Sequence, residues 1–100
     1  MITTDNATQP CVAKVNHEPK RDLRLMMIKQ NVLRTYPDTK IDFVDGFSSR
    51  MEFAGYRVEV MGRNYRIWEG VNGADILKTT NSEEVKNTIL ELIAEEITNP

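Results

Sequence analysis

Cys11 and His17 are the only thiol and the only imidazole in the chain. A thiol beside an imidazole is half of a nucleophilic site, and the same pair is half of a zinc site. A nucleophile needs a base that is itself held in place, and structural zinc takes four ligands. Both residues fall in the polar stretch 1–18, which shows no sustained periodicity and reads as a flexible arm. The expectation is no metal site and no catalytic thiol. The adjacent carboxylates Glu83-Glu84 and Glu95-Glu96 fall at the two ends of a helical pattern. There they face water rather than a cleft suited to general acid–base work. The five glycines stand singly at turns and make no phosphate-cradling loop. The sequence therefore predicts no catalytic residue and no cofactor.

The residues that ask for an explanation are Arg57, Met61, Arg66 and Trp68, within the stretch YRVEVMGRNYRIWEG at 56–70. Tyr56, Val58 and Val60 alternate with Arg57, Glu59 and Met61. Tyr65 and Ile67 alternate with Asn64, Arg66 and Trp68. Such alternation marks strands with one buried face. Gly62-Arg63 between them suits a type II′ turn, whose first central residue needs positive φ. That loop pairs Met61 with Asn64, Val60 with Tyr65, Glu59 with Arg66, Val58 with Ile67 and Arg57 with Trp68. The apolar side chains then share one face. The other face gains an ion pair, Glu59–Arg66, and a cation–π pair, Arg57–Trp68, each worth up to ~1 kcal/mol.

The remaining elements must support this hairpin. A helix begins with Pro19 at its first position and stops before Tyr36-Pro37. Its apolar stripe is Leu23, Met26, Met27 and Leu33, flanked by Leu25, Ile28 and Val32. A short strand at Ile41–Val44 and a loop over Asp45–Ser49 pair Phe43 with Met51 and Ile41 with Phe53. The apolar positions change phase at Ala54-Gly55, which reads as a bulge in one bent strand over 50–61. Two short strands with a sharp turn at Gly55 is the rival reading. A last strand spans Ala74 to Thr79. A C-terminal helix is capped by Asn81, with Glu84 three residues on, and buries Val85, Ile89, Leu92, Ile93 and Ile97.

The predicted fold class is α+β: a single antiparallel sheet of three to four strands with two helices on one face, in the order α-β-β-β-(β)-α. It forms one domain over 19–100 behind the arm at 1–18. The opposite sheet face is left open.

An α-β-β-β-α order resembles double-stranded-RNA-binding domains. Those domains open their second helix with a lysine cluster that meets phosphate, and here the same place reads NSEEVK. Net charge is −2. Residues 1–36 carry +3, which leaves −5 on the rest, a split that suits two solvated helix faces. No apolar run approaches a membrane span, and the first residues have no apolar h-region. One cysteine forms no internal disulfide. These features predict a cytoplasmic, non-catalytic interaction module that binds another protein, or a second copy of itself, through Arg57, Met61, Arg66 and Trp68. The alternative is a nucleic-acid-binding domain using the basic first helix and the sheet face through Arg21, Arg24, Arg57, Arg63 and Arg66.

Overall fold

The computed structural model describes residues 20–46 and 48–98. The expected arm, its candidate strand at Cys11–Val15, Pro19 and His17 lie outside them. The chain runs α1 (Leu23–Thr35), β1 (Ile41–Val44), β2 (Ser49–Phe53), β3 (Tyr56–Met61), β4 (Asn64–Glu69), β5 (Asp75–Thr79) and α2 (Ser82–Thr98). The strands form one antiparallel meander, each beside its sequence neighbour. Both helices cover the same face. Val58, Ile67, Met51, Phe53 and Ile41 from the sheet close against Leu25, Ile28 and Val32 of α1 and Val85, Ile89 and Ile93 of α2. The α+β class, the single sheet and the one-sided helical cover agree with the sequence reading.

The β3–β4 hairpin has the expected register at every pair from Met61↔Asn64 to Arg57↔Trp68, and it extends by one more, Tyr56↔Glu69. Gly62 sits at φ +59, as its turn requires. The loop after β1 also pairs Ile41 with Phe53 and Phe43 with Met51 as expected.

The bent strand over 50–61 is corrected to two strands, so the sheet has five strands rather than three or four. Ala54 and Gly55, at φ 48 and 85, form a two-residue turn that pairs Phe53 with Tyr56 and Met51 with Val58. The phase change follows directly. A two-residue hairpin loop pairs odd positions with even ones, so both arms keep their apolar side chains on one face. Alanine disguises the turn, because an L side chain at positive φ costs roughly 1–2 kcal/mol and is rarely chosen there.

Both helices differ in detail from the sequence reading. Helix α1 starts at Leu23, capped by Asp22, and not at Pro19. It buries Leu25, Ile28 and Val32, while Leu23 and Met27 are 72% and 63% exposed. Apolar residues lie nearly all round this helix, and the narrower stripe that fits the sheet wins. In α2 the exposed residue is Ile97, one turn beyond the buried stripe. Asn81 caps α2 by accepting from the Glu83 and Glu84 amides. Glu84 does not reach back to the Asn81 amide. It accepts from the Thr79 hydroxyl, which accepts from that amide in turn.

The start of α1 is fastened to the sheet at two points. Ser49 Oγ accepts from the Asp22 amide and donates to the Lys20 carbonyl, both at 2.9 Å. Arg24 forks onto the Asp22 carboxylate and donates to the Gly62 carbonyl in the β3–β4 turn. The hydrogen bond from Arg24 holds the Asp22 carboxyl below its ordinary pKa of 3.8. A depressed pKa gives stability that is present above the unfolded value and lost as pH falls through the folded one. Replacing Asp22 by alanine is expected to cost about 1 kcal/mol at neutral pH. In urea titrations the difference from the parent should shrink steadily below pH 3.8.

Candidate functional site

The outer face of the sheet is built in two cross-strand rows. Arg50, Glu59, Arg66 and Lys78 lie side by side on β2, β3, β4 and β5. The next row is Asp42, Glu52, Arg57, Trp68 and Asp75. Alternation makes this face, since these are the residues whose sequence neighbours enter the core. Among the described residues no element covers it.

Glu59 is the centre of the first row and only 5% exposed. Arg50 and Arg66 approach it from either side, at 3.6 and 3.5 Å. The Ser48 hydroxyl, in the loop before β2, donates to the same carboxylate. Arg50 Nε donates in turn to Ser48 Oγ at 3.3 Å. Arg66 also donates through Nε to Asp75, whose other oxygen faces Lys78 at 3.7 Å. The hydrogen bond that Arg66 donates to Asp75 raises the guanidinium above its ordinary pKa. A buried carboxylate without partners would cost several kcal/mol, and here its partners arrive from the two neighbouring strands and a loop.

Trp68 lies beneath these arginines. The Arg66 guanidinium carbon stands 4.4 Å from the ring centroid and that of Arg50 stands 5.7 Å away. The indole is thereby only 4% exposed. Arg57 is directly opposite Trp68 in register, as the sequence predicts, but it is not the cation on the ring. It turns to Glu52 on the other neighbouring strand, at 2.6 Å. The expected Arg57–Trp68 cation–π pair is therefore replaced by Arg66 and Arg50, because Arg57 finds a carboxylate at closer range.

Of the four residues named from sequence, Arg57, Arg66 and Trp68 share the second row or adjoin it, and Met61 stands at its margin. Met61 is 58% exposed and lines a shallow hollow with Glu59, Asn64, Tyr65, Arg66 and Lys78. Sequence reasoning missed Arg50, Glu52, Ser48 and Asp75. The first two were hidden by reading β2 and β3 as one strand. The alternation of Arg50 and Glu52 with Met51 and Phe53 was the available signal. Asp75 reaches Trp68's level only through a register shift in β5.

A serine hydroxyl on a carboxylate is part of a nucleophile–base arrangement. Here the carboxylate is shared between two guanidiniums, and no imidazole stands between the pair. Among the described residues no cluster of three or more Asp, Glu, His or Cys side chains could hold a metal ion. No described helix is long and apolar enough to cross a membrane. No family model, curated protein or solved structure matches the chain.

Trp68 is the only tryptophan, so its fluorescence reports this stack alone. Replacing Arg66 by alanine should shift its emission to the red and increase acrylamide quenching, since the ring loses its nearer cover. Replacing Arg57 should change neither. Equal effects of the two substitutions would contradict the assigned stack.

Proposed function

We propose that this chain is a non-catalytic protein-binding module that presents the outer face of its sheet to a protein partner. The carrying observation is the Arg66–Trp68–Arg50 stack on a face that no described element covers. Tryptophan and arginine are the side chains most enriched at interface hot spots. Here they are ordered before any partner arrives, so little conformational entropy remains to be lost on binding. Met61 adds exposed apolar area at the margin of the stack.

A folded protein surface fits this face better than a nucleic acid. Nucleic-acid affinity comes mainly from cations free to meet phosphate. Of the five guanidiniums in that alternative, Arg24, Arg57 and Arg66 are already paired with Asp22, Glu52 and the Glu59/Asp75 carboxylates. Of those five, Arg21 and Arg63 are the ones without a carboxylate partner among the described residues. Near-balanced charge on the face instead suits a partner whose own charges interleave with it, where complementarity selects the partner more than it strengthens binding. A reducing, cytoplasmic setting accompanies this reading, supported by the single cysteine.

Met61→Ala combined with Arg66→Ala on the tagged full chain tests the assignment, because neither side chain is part of the apolar core. Partner capture from the native host should fall by at least about thirtyfold in apparent affinity, the size expected for a hot spot. The far-UV circular dichroism should not change. A control pair on the exposed helix surfaces, Arg34→Ala with Glu91→Ala, should capture normally. Undiminished capture by the Met61/Arg66 variant would sink the reading.

A further inference from the structure

The two edges of the sheet are not alike. At one edge, β5 carries a register shift between Ile67 and Trp68, and its charges Asp75 and Lys78 are tied into ion pairs. Bulges and charges are the usual protection of an edge. At the other edge, β1 pairs with β2 without interruption from Ile41↔Phe53 to Val44↔Arg50. Its outward main-chain groups have no hydrogen-bond partner among the described residues. It carries one charge, Asp42, held by Lys40 at 3.8 Å.

Helix α1 turns that edge into a groove. The helix packs over β2 rather than over β1. Its flank, Met26, Lys29 and Leu33, overhangs the edge, and half-buried Phe43 of β1 forms the floor. Lys29 Nζ stands 5.8 Å above the Phe43 ring. Arg21 lines the same groove. Asp42 also lines the groove but is held by Lys40, while neither Arg21 nor Lys29 has a carboxylate partner among the described residues, so the groove keeps a surplus of positive charge.

We propose that this groove takes an extended segment of a protein partner as a strand added to β1, with apolar side chains at alternate positions and an acidic residue facing Arg21 and Lys29. This surface is separate from the outer face and does not rest on the reading given to that face. Strand addition draws affinity from main-chain hydrogen bonds and specificity from pockets for every second side chain. Alternate side chains of the added strand point to the helix side, onto Phe43, Met26 and Leu33. The unmatched cations set the sign of the flanking charge. A second copy of the chain meets that need poorly. Its own β1 would offer Ile41, already packed in its core, half-buried Phe43, and one acid, Asp42, already held by Lys40.

Panning the full chain against a phage-displayed library of random linear peptides tests the proposal. Enriched peptides should alternate apolar residues and carry an acid. The synthetic consensus peptide should shift the NMR amide signals of 41–44 and the methyl signals of Met26 and Leu33. Lys29→Glu should weaken that peptide roughly tenfold or more, since it sets like charges against each other. Met26→Asp should also weaken it, without loss of circular dichroism. Three results would overturn the proposal: no enrichment, peptides that shift the Arg66–Trp68 face instead, or outward-pointing β1 amides, those not bonded to β2, already protected from hydrogen exchange in the free chain. The last would show the edge covered by a second copy or by another part of the chain.

Discussion

The row Arg50–Glu59–Arg66 holds the sheet to a single register. One residue comes from each of three neighbouring strands, and the middle one is a buried carboxylate. Slipping either hairpin by one residue would turn Glu59 toward the core or leave it without a guanidinium. Either outcome costs several kcal/mol, more than any single apolar contact in the sheet supplies. A buried ion triad is a poor source of net stability, but it penalises wrong pairings heavily. The apolar row beneath, Met51–Val58–Ile67–Leu77, gains from the same register, so both faces of the sheet favour one alignment.

That constraint explains why a tryptophan can sit on a face no described element covers. Trp68 needs a lid, and the arginines that neutralise Glu59 are long enough to provide it. Their charge stays near water while their planar heads and stems cover the indole. The face is therefore polar at its surface and aromatic one layer down. Under the proposed binding role, the ordered guanidiniums would offer their donors to carboxylates or carbonyls of a partner. Their charged cover keeps the exposed sheet from presenting a broad apolar patch.

Much of this was legible in the sequence, where local geometry leaves few choices. The Gly62-Arg63 loop determines every pair of the β3–β4 hairpin, and apolar matching determines the β1–β2 pairing. Ala54-Gly55 was not legible as a turn, because alanine rarely takes positive φ. That one misreading concealed Arg50 and Glu52, and with them two of the partners that organise the outer face. The rotation of α1 was not legible either. Its apolar residues surround the helix, and only the sheet decides that Leu25, Ile28 and Val32 face inward while Leu23 and Met27 do not. The partner of Trp68 depends on side chains from separate strands competing for carboxylates, which no local pattern records.

The central claim is that Glu59 and Arg66 act as a coupled pair at the heart of this face. A double-mutant cycle of Glu59→Gln and Arg66→Gln, followed by urea unfolding, measures that coupling directly. A coupling of about 1–3 kcal/mol is expected, with the double variant less destabilised than the sum of the two single changes. Additive effects, with no coupling beyond about 0.3 kcal/mol, would contradict it.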